Sequence, residues 1–288
     1  MMLATATSFR QSPIMRWLPF LVVVLSAPAV AAPASDPAFL GIGMDDGPGY
    51  STISNVTASS PAHDAGLTFG DAVHAIDGVL TAGPRPCTIL QAQIVAHRPG
   101  EDIQLEVRRG AQHITIHATL STRAEVLHRR FVGEPMLHTE VTDIDDAKLS
   151  YDLGERRGRT TIVGWFMLEN CANCARVFDI INDGLHKRLK DADTLPTTLA
   201  ITAPGRRGDL ALIRKSFNAN VSLAVADIDL FDMLALRDSE RISFMVIDCR
   251  GVVRFVAALA PDADDLDAAV DDILAAAEQA EHQRTSRR

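Results

Sequence analysis

The segment Thr160 to Cys174, TTIVGWFMLENCANC, constrains the chain more than any other. From Thr160 to Met167 it is β-branched, aromatic or apolar with a single glycine, the pattern of a strand covered on both faces of a sheet. Beyond it, Val177, Ile180, Ile181 and Leu185 recur on one face at helical spacing, so Cys171 and Cys174 fall in the first turn of a core helix. Unpaired amides and the positive end of the helix dipole favour a thiolate there. Cysteines of Cys-X-X-Cys motifs in such places titrate at roughly 3.5 to 7.5, against about 8.5 for a free thiol. Cys171, at the exposed helix end, is the expected nucleophile, and Cys174, one turn deeper, the thiol that resolves a mixed disulfide. Glu169 opposes part of the helix effect by like charge, and Gly164 puts no proton-transferring side chain in the strand.

Further along, Thr197 to Thr202 reads as a second buried strand, Asp209 to Ala219 as a helix and Ser222 to Asp227 as a third strand. Phe244 to Asp248 and Val252 to Ala257 then pair across Cys249-Arg250-Gly251, and an amphipathic helix starts at Asp262. Strand, Cys-X-X-Cys and helix, preceded by LGERRGRTTIVGWF and followed by ISFMVIDCRGVVRF, resemble the thioredoxin-fold family, closest to its exported TlpA-like and redoxin-like branch. The resemblance runs from about Phe131 to Glu281 and implies a mixed sheet with helices on both faces and thiol–disulfide exchange. Three positions depart from the family pattern: Asn170 replaces the usual Trp, Asp179 the usual helix Pro, and Ile242 the substrate-docking cis-proline. The bond before Ile242 is expected trans, because a cis bond without proline costs about 3 to 4 kcal/mol.

Between Phe39 and about Thr122 the pattern changes to short alternating strands and turns. Phe39-Leu40-Gly41-Ile42, then SPAHDAGL from Ser60, Gly70-Asp71, Ala75-Ile76-Asp77-Gly78, a helix around Thr88 to Ala96 and a hairpin through Arg109-Gly110 follow one another. The combination resembles a small α+β PDZ domain of the bacterial HtrA-type subclass. It implies that Phe39, Leu40, Gly41 and Ile42 turn backbone amides toward a peptide's terminal carboxylate while the peptide adds as a strand beside Ile42. Leu90 and Ile94 are expected in the core, and Leu40 and Ile42 have the alternative of being plain strand core with no peptide beside them. HtrA-type PDZ domains usually follow a serine protease; G-x-S-x-G does not occur in this sequence.

Residues 1–31 read as a cleaved signal peptide: Arg10 and Arg16, an apolar run from Leu18 to Leu25, and Ala29-Val30-Ala31 as cleavage site. The run is far shorter than the roughly 20 residues that span a bilayer. The organisation expected is therefore a signal peptide (1–31), a PDZ domain (36–123), a thioredoxin-like domain (124–281) and a disordered tail (282–288). A net charge of −9, more negative without Arg10 and Arg16, argues against a nucleic-acid or polybasic membrane surface.

Four cysteines are too few for a disulfide scaffold in 288 residues, and Cys87 and Cys249 read as separate thiols. No metal or cofactor is implied. His97, His113 and His117 lack a ligand spacing, Asp143, Asp145 and Asp146 lack the EF-hand pattern and read as a solvated turn, and Leu168 replaces the threonine of a peroxidase motif. Two functions follow. The first is an exported, periplasmic or secreted, thiol–disulfide oxidoreductase whose PDZ domain recruits protein clients or peptide C-termini and which exchanges electrons with a partner thiol protein. The second is a non-enzymatic adaptor on a degenerate thioredoxin-like scaffold.

Overall fold

The computed structural model describes residues 37–144, 150–155, 158–168, 173–189, 195–205, 207–217, 221–236, 241–261 and 265–286. The signal-peptide segment and Cys171 lie outside them, as do Glu169 and Asn170.

The first domain runs β1 (Ile42–Asp46), β2 (Ser51–Val56), α1 (Pro61–Asp64), β3 (Ala72–Ile76), β4 (Val79–Leu80), α2 (Pro86–Ala96), β5 (Asp102–Arg109) and β6 (Gln112–Thr119). Its sheet has the order β1-β2-β3-β5-β6, with β4 added to β3. Strict alternation in β5 and β6 turns Ile103, Leu105, Val107, Ile116 and Ala118 inward, where they meet Leu90 and Ile94 of α2. Asp71 explains the Gly-Asp dipeptide: buried, it accepts a two-pronged bond from Arg109 (2.8 and 2.7 Å) and the amide of Thr68. Arg109 also donates to Gly66 O, so one guanidinium closes the turn after α1 onto β5.

A helix follows at once. α3 (Arg123–Phe131) begins with a full capping box, Thr122 Oγ1 accepting from Glu125 N while Glu125 Oε2 accepts from Thr122 N. Its Leu127 and Phe131 are buried in the second domain.

The second domain continues with β7 (Glu140–Asp143), β8 (Ser150–Asp152), β9 (Thr161–Phe166), α4 (Cys174–Arg188), β10 (Thr197–Thr202), α5 (Arg207–Ser216), β11 (Val221–Val225), α6 (Ile228–Met233), β12 (Ile242–Ile247), β13 (Val253–Leu259) and α7 (Leu266–Thr285). The strand order is β13-β12-β9-β10-β11-β7-β8. β9, β10 and β11 are parallel, joined through α4 and α5, and β12 and β13 return antiparallel on the other side of β9. Helices cover both faces. Residues of α4, α5 and α7 form one buried cluster with Ile162 and Phe166; residues of α3 and α6 form the other with Val163 and Trp165. A parallel βαβ unit carrying a hairpin and a closing helix is a thioredoxin-like arrangement. Among the described residues no helix is long and apolar enough to cross a membrane.

Three expectations change. The stretch read as a solvated turn is an antiparallel hairpin, β7 and β8, that extends the sheet beyond β11, with Tyr151 donating to Asp143 at 2.7 Å; Asp145 and Asp146 lie outside the described residues. The short helix α6 fills the stretch between the third and fourth predicted strands. The segment read as a disordered tail is helical through Thr285, because buried Glu281 accepts from Thr160 Oγ1 at 2.9 Å and pairs with Arg284 one turn on.

Candidate functional site

Phe39 is bridged in both directions to Ser121. Leu40 is buried, and its carbonyl accepts from Ala62 N; the Gly41 carbonyl accepts from Thr57 N and from Ser60 Oγ. Gly41 has φ +85, and a Cβ there would strike Ser60. The carbonyls of this loop thus face the body of the domain, and the amides of Leu40 and Gly41 have no acceptor among the described residues. The loop therefore presents two open amides, in a conformation available only because position 41 lacks a side chain. β1 follows as an edge strand, with Ile42 and Met44 packed on the core and its outer edge unpaired among the described residues. α2 packs alongside β1 and β2. Arg85, at the N-cap of α2, makes no side-chain cap, and Asp46 at the end of β1 instead accepts from Cys87 N at 2.8 Å. That bond holds the Asp46 carboxyl below its ordinary range and pins the end of β1 to the start of α2.

A loop with open amides, an edge strand and a flanking helix lie side by side here, and the PDZ domain family profile matches residues 38–120. This domain is a PDZ domain. Its Leu90 and Ile94 are core, as expected, and His113 and His117 are exposed on β6.

In the second domain β9 is buried throughout, with Ile162, Gly164 and Phe166 on one face and Val163 and Trp165 on the other. Cys174 is the first residue of α4, fully buried among Phe166, Val177 and Phe178. Its partner Cys171 lies outside the described residues. The N-cap Asn173 makes no side-chain cap, which leaves the first-turn amides of α4 free of that competitor. Gly164, opposite Phe244 across β9 and β12, has a packing role: a Cβ there would strike Phe178 and lie 2.9 Å from Phe244 Cε1. Phe178 stands 5.1 Å from Phe217 and 5.4 Å from Phe244 between ring centroids, so an aromatic stack backs the cysteine helix.

Ile242 opens β12, fully buried, in the same cluster as Cys174 and preceded by a trans bond. The structure thus brings Cys174 and Ile242 into one core. Phe39 to Ile42 lie in the other domain. Cys87 and Cys249 are free thiols; burial pushes Cys87 above its ordinary value.

Reading the sequence alone misses two groups. Arg123 on α3 contacts both domains and Arg130 bonds to the second, and the Thr122-x-x-Glu125 capping box ahead of Val126-Leu127 was the available signal for their helix. His138, Asp152 and Glu155 bring potential ligand atoms within 4.8 Å of one another on the surface, a juxtaposition made by the β7–β8 hairpin with no spacing to announce it.

Searched against curated proteins, the chain has no match. Among solved structures it is similar to the HtrA-type protease AlgW with a decapeptide, at 23% identity over 30% of this chain and 30% of that one, TM-score 0.27. It is also similar to a Bacteroides thetaiotaomicron protein provisionally named a protein disulfide isomerase, at 20% identity over 53% of this chain and 93% of that one, TM-score 0.41. A third is the HtrA3 PDZ domain bound to a phage-derived ligand, FGRWV, at 21% identity over 29% of this chain and 85% of that one, TM-score 0.25. The chain spans under a third of the length of the HtrA-type protease it matches.

Proposed function

We propose that this protein is an exported thiol–disulfide oxidoreductase in which Cys171 and Cys174 exchange with protein disulfides, and in which the PDZ domain recruits the client by its C-terminus. The observation that carries the reading is the placement of Cys174 at the first position of α4, beyond the end of the central strand β9, with Cys171 three residues ahead. In the reductive direction the Cys171 thiolate attacks one sulfur of the client disulfide, forming a mixed disulfide and releasing the other client sulfur as a thiolate. The Cys174 thiolate then attacks Cys171, forming the Cys171–Cys174 disulfide and releasing the second client thiolate. The client gains two electrons, and a partner dithiol protein returns the pair to its reduced form; the same steps reversed oxidise a client. The buried aromatic stack under α4 supports a resolving thiol shielded from every sulfur except Cys171.

Insulin reduction tests the chemistry. Turnover is expected from the wild-type chain and none from Cys171→Ser; equal turnover in both sinks the reading. Carboxylate capture is tested by calorimetry with FGRWV and its C-terminal amide, and affinity is expected for the free acid alone. Export is tested by the N-terminal peptide of the mature protein, expected to begin at Ala32. The adaptor function is favoured by one observation, a fully buried Ile242 in place of proline, and would be the outcome if peptide binding persisted without Cys171-dependent turnover.

A further inference from the structure

The Phe39 to Ile42 loop of the PDZ domain and the turn that follows α6 are joined through one side chain. Arg123, the first residue of α3, holds its guanidinium 4.9 Å from the centroid of the Phe39 ring. The same guanidinium donates from Nη1 to the carbonyl of Ala235 at 2.6 Å. Phe39 is itself part of that loop: its Cε1 is 3.4 Å from the point where Gly41 would carry a Cβ. The Arg123 guanidinium therefore rests on a ring that belongs to this loop, and a charge taken up by the loop acts on it with little screening over spans below the Debye length of about 10 Å at 0.1 M salt.

At the other end of the contact, Ala235 has φ +57, a left-handed conformation that a residue with a Cβ keeps only when its surroundings hold it. The hold has two parts. Arg123 takes the Ala235 carbonyl, and Arg130, two turns along the same face of α3, donates to Met233 O at 2.6 Å. Both carbonyls lie at the C-terminal end of α6, where cations are favoured. The amides of this turn are all bonded: Leu234 to Leu230, Ala235 to Asp232 and Leu236 to Phe231. The chain continues from there to Ile242, which shares a core cluster with Cys174.

We propose that Arg123 is a positioning residue that couples the two sites: a peptide carboxylate seated on the Phe39 to Ile42 loop draws the guanidinium from the Ala235 carbonyl and loosens the turn that leads into Ile242. Client capture at the PDZ domain thereby alters the surroundings of the cysteine pair. The inference rests on the proposed function for its ligand and its consequence, and its readout is independent of turnover.

The experiment is hydrogen exchange, read by mass spectrometry, on the full chain alone, with saturating FGRWV, and with the C-terminally amidated peptide. The free acid is expected to speed exchange at Leu234 to Leu236 by at least fivefold, the low end of ordinary coupling between sites, while the amide leaves it unchanged. In Arg123→Gln these amides exchange fast without ligand and the peptide adds less than twofold, although calorimetry still finds it bound. Arg130→Gln, which keeps the contact with Phe39, retains the peptide response and controls for general loosening. Peptide that binds without changing exchange at Leu234 to Leu236 overturns the coupling and leaves the proposed function intact, as does an Arg123→Gln chain that responds like the wild type. Absence of binding overturns the recruitment reading and the coupling with it. A peptide response in a chain that fails to reduce insulin supports the coupling and removes the redox reading.

Discussion

Replacing Gly164 by Ala tests whether the aromatic stack sets the seat of the cysteine helix. Position 164 is extended strand, so the added methyl meets no backbone strain, and the reduced freedom of the unfolded chain favours Ala by about 0.4 to 1 kcal/mol. Against this, the methyl would penetrate Phe178 Cζ and lie 2.9 Å from both Phe178 Cε1 and Phe244 Cε1. Phe178 has no room to retreat, because Phe166, Phe217 and Phe244 close around it at 5.1 to 6.5 Å between ring centroids. Overpacking of this kind costs about 1 to 3 kcal/mol, leaving a net loss of about 0 to 2.6 kcal/mol. At about 2 to 4 °C per kcal/mol for a body of this size, the melting temperature falls by up to about 10 °C. Trp165, fully buried and edge-on to Phe231 at 5.4 Å, is the one tryptophan after residue 31, so its fluorescence in a chain lacking that segment reports this domain alone. Because the closest clash is with the Phe178 ring, Phe178→Leu should cost less in the Gly164→Ala background than in the wild type, with a coupling of about 0.5 to 3 kcal/mol. A Gly164→Ala chain that melts above the wild type, or a cycle that sums without coupling, would refute the argument.

Further expectations concern the ion pairs and the loop. Burial alone would raise the Asp71 carboxyl, but the bonds from Arg109 and Thr68 N together hold it below the usual 3.8. Its stabilisation is therefore complete above that value and lost as pH falls through the lowered one, so Asp71→Asn should lose less stability than the wild type between about pH 5 and pH 2, measured by thermal melts. Arg284→Ala strands the buried Glu281 carboxylate and should cost about 3 kcal/mol in urea unfolding, whereas Arg284→Met with Glu281→Leu should recover most of it. Gly41→Ala, with its clash against Ser60 and φ +85, should weaken free-acid peptide binding at least about tenfold by calorimetry, a loss of about 1.4 kcal/mol; retained affinity would mean that the carboxylate is bound elsewhere.

Elements whose signals are local were legible in the residues. β9 announces itself because burial on both faces leaves no polar position from Ile162 to Phe166, and the PDZ strands because alternation in β5 and β6 matches the pleat. Gly41 was legible as part of a short loop motif. The elements that escaped depend on partners distant in sequence. The β7–β8 hairpin reads as an acidic turn since only its pairing with β11 makes it a strand pair. The last turn of α7 reads as a tail because Glu281 is stabilised by Thr160, more than a hundred residues earlier. Arg123 looks like linker charge until Phe39 from one domain and the Ala235 carbonyl from the other close around it.

The junction at Ser121 and Thr122 has a final consequence. Phe39 and Ser121 pair, Thr122 caps α3, and α3 buries Leu127 and Phe131 in the sheet beyond, so no slack segment separates the recognition module from the thiols. A tethered client would gain local concentration over a broad range of reach, as flexible linkers provide. A joint without play instead acts as a ruler: under the proposed function it favours clients whose disulfide lies at one spacing from the chain's end, and lengthening the joint with glycines would trade that discrimination for breadth.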